Sequence, residues 1–62
     1  MNIPKLLTIN EVAEMTGLPV NTLRWWRHKG DGPRGAKFGG RVMYREQDVI
    51  DWINKAFEDD GE

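Results

Sequence analysis

Positively charged side chains are concentrated in one segment of the 62-residue chain, residues 24–45. This segment holds seven lysines and arginines and a single aspartate, and its net charge is +6. The residues before it carry −1 and those after it carry −6, so that the whole chain is nearly neutral at −1. A basic segment of this density predicts a surface for a polyanion, which the overall charge conceals.

Arg24 and Asn21 have the side chains best suited to recognise the edges of bases. Arginine can donate two hydrogen bonds to guanine O6 and N7, and asparagine can bind adenine N6 and N7 in a similar way. The alternative is that both side chains contact phosphate only, as half or more of protein–DNA hydrogen bonds do. We expect both residues on a DNA-facing surface, and the choice between base and phosphate stays open.

Eight further residues are candidates for contact with DNA. They are Thr22, Trp25, Arg27, His28, Lys29, Arg34, Lys37 and Arg41. Thr22 and Arg27 are predicted phosphate ligands, although the aliphatic stem of Arg27 could instead cover Leu23. Trp25 either packs under the loop of the hairpin or contacts the sugar-phosphate backbone. His28 either makes the DNA affinity depend on pH or is simply a solvated side chain.

The cations beyond residue 30 also have two interpretations each. Arg34 and Lys37 either neutralise phosphates or keep a loop in solution. Arg41 follows Gly39 and Gly40, and it would reach a narrow minor groove if these glycines form the turn of a DNA-binding hairpin. A solvated charge at the turn is the alternative for Arg41.

Catalytic and metal-binding chemistry has little support in the sequence. The chain contains no cysteine, no serine and a single histidine, which excludes disulfides, thiol and serine nucleophiles and a histidine-based zinc site. It also lacks the GxxxxGK[ST] loop that cradles phosphates. Asp48 and Asp51 fall in the first turns of a predicted helix, where the helix dipole favours acids, and we interpret them as surface acids. We expect no enzymatic activity, no cofactor and no metal.

Local signals place the candidate residues on a helix-turn-helix framework. The apolar opening of the chain predicts a small strand or a packed arm. Thr8 and Glu11 fit a capping box that starts a first helix, and Gly17 ends it. Pro19 starts a second helix that runs to about Lys29. Two short helices joined by a tight turn are typical of the motif whose second helix is offered to DNA.

A hairpin is predicted after the second helix. Residues 30–35 are rich in glycine and proline, which is typical of a loop. Short strands over residues 37–38 and 42–44 flank Gly39 and Gly40, a pair that suits the tight turn of a two-stranded hairpin.

A third helix is predicted from Glu46 to about Phe57. Residues 58–62 are expected to be a disordered acidic tail. Trp26 and Trp52 lie on the apolar stripes of the second and third helices, and we predict that they anchor the core.

Four segments of the sequence together carry a family resemblance. They are residues 7–13 (LTINEVA), 22–27 (TLRWWR), 40–46 (GRVMYRE) and 48–53 (DVIDWI). As a set they resemble the MerR-like winged helix-turn-helix proteins of the small excisionase type, over about residues 6–55. Pro19 departs from that pattern, because a small hydroxyl residue often caps the second helix of such proteins.

The resemblance implies a mainly α-helical winged helix-turn-helix fold with a small β-hairpin. The second helix would enter the major groove of DNA, and the hairpin, as the wing, would meet the adjacent backbone or minor groove. The function it implies is binding of double-stranded DNA as a phage excisionase, an architectural accessory that directs an integrase toward excision. A small transcriptional regulator on the same fold and a protein-interaction module are the alternatives.

The organisation expected from the sequence is a single domain over residues 1–62. No apolar run approaches the length of a membrane span, so we expect a soluble, cytosolic chain that does not enter a membrane. The resemblance implies a location on DNA in the cytoplasm of a bacterial host. The separation of a +6 from a −6 segment also predicts that several copies bind neighbouring DNA sites cooperatively through opposite charges. The alternative is a closed dimer in which the apolar residues 3–7 pair as an edge strand with a neighbour.

Overall fold

Three helices and a three-stranded antiparallel sheet alternate along the chain. The computed structural model describes residues 3–60, apart from the side chains of Phe38 and Asp60. The elements are β1 (Leu6–Thr8), α1 (Ile9–Thr16), α2 (Val20–Lys29), β2 (Gly35–Phe38), β3 (Arg41–Arg45) and α3 (Glu46–Asp60). The mainly helical winged helix-turn-helix fold predicted from the sequence is confirmed.

Helix α1 begins and ends at the residues that the sequence predicts. The amide of Thr8 donates to Glu11 Oε1 at 2.7 Å, and the amide of Glu11 donates to Thr8 Oγ1 at 3.1 Å. These reciprocal bonds satisfy amides that the first turn of a helix leaves without partners. At the other end Gly17 adopts a left-handed φ of 77° and donates its N–H to the carbonyl of Ala13 at 2.8 Å.

Helix α2 follows after a turn of only three residues. Pro19 is the residue just before the helix, and its carbonyl accepts from the amides of Thr22 and Leu23 at 3.1 and 3.2 Å. No side chain caps this helix, in agreement with the absence of a hydroxyl at position 19. Gly30 ends α2 with a φ of 96°, so that the short turn and fixed ends hold α2 at a defined angle to α1.

The hairpin and the opening strand form one sheet in the order β1-β3-β2. Gly39 and Gly40 both have positive φ, which a two-residue hairpin turn of the primed type requires. The strands are longer than predicted, and β1 pairs with β3 on the side away from the hairpin, with Leu7 opposite Tyr44. The apolar Ile3 before β1 is 82% exposed, so the opening residues form a strand and not a packed arm.

Five buried side chains form the core, one from each element except β2. They are Leu7, Val12, Leu23, Tyr44 and Val49. Trp26 and Trp52 were predicted to anchor this core, but both side chains are only half-buried; Trp26 packs against the five core residues, and Trp52 is not among the described residues that do. Their ring centroids lie 5.8 Å apart at a tilt of 57°, so the two indoles pack on each other at the edge of the core.

Helix α3 is longer than the sequence suggests. It continues through Glu58 and Asp59 to Asp60, so these residues belong to the helix and not to a disordered tail. The reason is that no glycine or proline interrupts residues 46–60, and a helix continues where nothing ends it. Residues 61–62 of the expected tail lie outside the described residues. Within residues 3–60, no helix is long and apolar enough to cross a membrane.

Candidate nucleic-acid interface

Helix α2 has a buried face and an outward face that differ sharply in chemistry. Leu23 is buried in the core at 1% exposure, whereas Asn21, Arg24, Trp25 and His28 are exposed. An α-helix turns about 100° per residue, so these four side chains point away from the side of the helix on which Leu23 is buried. The core contact of Leu23 therefore fixes which side chains α2 offers to a partner.

A groove lies between α2 and the β2–β3 hairpin. Its walls carry four cations, Arg24 and Arg27 from the helix and Lys37 and Arg41 from the hairpin. Ile9, Gly40 and Val42 complete the lining, and the volume is about 390 Å³. We call this feature the basic groove, defined by Arg24, Arg27, Lys37 and Arg41. The fold gathers there four of the ten residues that the sequence nominates for DNA contact.

Two of the seven cations in residues 24–45 are engaged in ion pairs. Lys29 Nζ lies 3.2 Å from Asp31 Oδ2, and Arg45 Nε donates to Asp48 Oδ2 at 2.8 Å. The other five cations have no carboxylate within ion-pair distance in the described part of the chain. They are Arg24, Arg27, Arg34, Lys37 and Arg41. Since four of these five line the basic groove, its positive charge is not cancelled locally.

Comparison with protein families agrees with this geometry. The chain matches the family model described as "Helix-turn-helix domain" over residues 6–56, which is most of its length. The chain belongs to this family. Comparison with curated proteins and with solved structures finds no match. A helix-turn-helix domain binds DNA, with its second helix as the recognition helix. In this helix-turn-helix domain α2 is therefore the recognition helix, and the β2–β3 hairpin beside it is the wing.

Trp25 does not pack under the loop of the wing. Its side chain is 57% exposed, and Lys29 Nζ lies 4.3 Å from the centroid of its ring. Trp26 instead packs against the loop that precedes the wing, because a Cβ placed on Gly32 would lie 3.0 Å from Trp26 Cε3. One step along the helix moves a side chain by about 100°, which carries residue 26 toward the core and leaves residue 25 outside. Contact with the DNA backbone, the other interpretation of Trp25, stays a prediction.

Tyr44 connects the core to the base of the wing. Burial raises the pKa of its hydroxyl above the ordinary value, and the positive charge of Arg27 acts in the opposite direction. Arg27 itself is an exposed residue. Whether its stem covers Leu23 stays a prediction.

Arg34 lies in a separate hollow beside the basic groove. It shares that hollow with Arg27 and the loop residues Gly30 and Pro33, at the point where the loop enters β2. The remaining candidates are on α2 outside the groove; they are Asn21, Thr22, Trp25, His28 and Lys29. Thr22 is half-buried and the other four are exposed.

The sequence reasoning missed two residues that position the interface. Tyr44 is 1% exposed, and a Cβ placed on Gly35 would lie 2.8 Å from its ring atom Cε2. Gly35 and Tyr44 are paired across β2 and β3. Strand β2 can therefore lie against the tyrosine ring only because residue 35 has no side chain. Alternation of Val42 and Tyr44 along one strand was the available signal, because alternate residues share a face of a sheet.

Proposed function

We propose that this helix-turn-helix domain binds specific double-stranded DNA sites as a phage excisionase. In this role it is an architectural accessory that directs an integrase toward excision and catalyses no reaction itself. The observation that carries the proposal is the basic groove, in which recognition helix and wing present four unpaired cations to one partner. A duplex offers two lines of phosphates on either side of a groove, which fits charges on two neighbouring elements.

The proposed division of labour follows from where the side chains lie. Asn21 and Arg24 are exposed on the recognition helix and would meet base edges in the major groove. Arg27 and Lys37 line the groove on either side and would contact phosphates. Arg41 follows the turn of the wing and would enter the adjacent minor groove, where a narrow width concentrates negative potential.

The excisionase role within DNA binding is supported by the four sequence segments described above and by the charge of α3. Residues 46–62 carry a net charge of −6, and phosphate would repel them. In the proposal the acidic helix faces away from DNA and meets the basic face of a neighbouring copy or of the integrase. Copies arranged head to tail would bind cooperatively and bend the DNA between them, in the cytoplasm of a bacterial host.

A footprinting experiment tests the proposal. The purified chain is added to DNA that carries the phage attachment sites and, separately, to the promoters of the same phage. We expect protection of repeated sites within the attachment region and stimulation of excision when integrase is present. Protection confined to a promoter would identify a transcriptional regulator, and protection of neither would favour a protein-interaction module; both outcomes contradict the proposal.

Matched variants assign the footprint to the basic groove. Replacing Arg24 and Arg41 together with alanine is expected to abolish protection, because both cations line the groove. Lys55→Ala removes one positive charge from an exposed position on α3, outside the groove, and should leave the footprint intact. Equal loss in both variants would contradict the assignment.

A further inference from the structure

The recognition helix carries a large apolar side chain that the fold does not use. Trp25 is 57% exposed and does not belong to the core or to the partly buried residues that pack against it. Single exposed hydrophobic residues are common on protein surfaces and need no explanation by themselves. This one, however, lies on the outward face of α2 among the polar residues Asn21, Arg24 and His28.

The indole of Trp25 is also held in place. Lys29, one helical turn further on, places its Nζ 4.3 Å from the ring centroid, within the range of a cation–π contact. Asp31 holds the same ammonium group at 3.2 Å. Two contacts in series thus restrain the Trp25 ring before any partner arrives, which lowers the entropy lost when the ring is buried.

We propose that Trp25 contacts the 5-methyl group of a thymine in the major groove, so that the chain selects sites with thymine at that position. The inference rests on the proposed binding of double-stranded DNA and deepens it. The edges of bases in the major groove present hydrogen-bond donors and acceptors, and thymine adds the one apolar group, its methyl. An indole face offers apolar surface and only one donor, so it matches the methyl better than it matches a polar edge.

Replacement of thymine by deoxyuridine tests the assignment. A preferred duplex is first selected from a random-sequence pool with the full chain. Each thymine is then replaced singly by deoxyuridine, which lacks only the methyl, and binding is measured by fluorescence anisotropy. We expect one replacement, or two adjacent ones, to weaken binding about fourfold, the factor that corresponds to burial of one methyl group. The other replacements should have no effect.

Variants connect the effect to the tryptophan. Trp25→Ala is expected to bind the thymine and deoxyuridine duplexes equally, whereas Trp25→Phe keeps an apolar ring and should retain part of the discrimination. Phe57→Ala removes another exposed aromatic ring, 76% exposed on α3, and should behave as wild type. Lys29→Ala should lower the thymine-to-deoxyuridine ratio, because the ring loses its restraint. Circular dichroism confirms that each variant is folded.

The possible results separate this inference from the proposed function. Equal binding of every deoxyuridine duplex by the wild type, or the same discrimination in Trp25→Ala, overturns the thymine contact and leaves DNA binding intact. A uniform loss of affinity in Trp25→Ala for all duplexes would assign the ring to the sugar-phosphate backbone and also overturns it. If the wild type selects no duplex from the pool, both the proposed function and this inference are wrong.

Discussion

Arg24 is the residue whose position best suits base recognition, since it belongs to both the outward face of α2 and the basic groove. We predict that Arg24→Ala weakens binding to the preferred site by about 1–3 kcal/mol, the value of one bidentate contact to guanine. The variant should also lose its preference for one particular base at a single position of the site. Binding constants for the preferred and a scrambled duplex measure both effects.

Lys37→Ala is the matched control, because Lys37 lines the same groove from the wing. A phosphate ligand carries no sequence information, so this variant should weaken binding to both duplexes alike. If Arg24→Ala also weakens both equally, Arg24 contacts the backbone and not a base.

Tyr44 should titrate at a higher pH in the folded chain than in the unfolded one. Burial raises the pKa of its hydroxyl, so the folded state favours the neutral form. This contribution to stability is complete below the unfolded pKa of about 10, and it is lost as the pH rises through the folded pKa. Tyr44 is the one tyrosine of the chain, so the absorbance of tyrosinate reports on it alone.

The control for Tyr44 uses Arg27, whose charge lowers the same pKa. Arg27→Ala should move the titration to still higher pH, because the folded state then loses the cation that favours tyrosinate. Coincident titrations of native and guanidinium-unfolded chain would show that Tyr44 is not desolvated.

Among the elements, the wing depends on one close contact between Gly35 and the ring of Tyr44. An added Cβ would lie 2.8 Å from Cε2, too close for any real contact, and the ring is buried and cannot retreat freely. We predict that Gly35→Ala lowers the free energy of unfolding by about 1–3 kcal/mol, as overpacking does. Thermal melting followed by circular dichroism measures the change.

Ala36→Val is the companion variant to Gly35→Ala. Ala36 is the exposed neighbour on the same strand, and a β-branched residue suits a strand. It should melt at or above the temperature of the parent. A Gly35→Ala variant as stable as the parent would mean that β2 shifts freely and that the glycine does not seat the wing.

The ends of α1 and α2 and the turn of the wing could be predicted from sequence because their causes are local, whereas the strands and α3 are longer than predicted. The Thr8 and Glu11 side chains, and glycines at positions 17, 30, 39 and 40, act on backbone within a few residues. Burial of side chains could not be predicted in this way. Trp26 and Tyr44 both lie on apolar stripes, and only the packing of five elements decides that the tyrosine fills the core.

For the candidate interface of the whole molecule, too, some features could be read from the sequence and others depend on packing. Sequence identified the basic segment and the outward face of α2, because charge and helical periodicity are readable along the chain. It could not identify which cations meet in one groove, since Arg24 and Arg41 come together only through the packing of the wing beside α2. Nor could it separate the free cations from Lys29 and Arg45, whose partners are set by side-chain geometry.

Because five cations of the basic segment are unpaired among the described residues and two are in ion pairs, we can predict how strongly DNA binding depends on salt concentration. Each cation that neutralises a phosphate releases a counterion and contributes about −0.9 to the slope of log K against log salt concentration. If all five unpaired cations contact phosphate, the slope is about −4 to −5. Binding to an unrelated duplex, measured over a range of salt concentrations, gives the slope.

Two arginines of the same basic segment serve as a pair for this test. Arg34 has no carboxylate partner among the described residues, whereas Arg45 donates to Asp48 at 2.8 Å. We predict that Arg34→Ala reduces the magnitude of the slope by about 0.9, because one released counterion is lost. Arg45→Ala should leave the slope close to that of the parent, since its charge is already neutralised within the protein. A loss as large in Arg45→Ala as in Arg34→Ala would mean that DNA displaces Asp48, and that ion pairs in the free chain do not determine which cations bind phosphate.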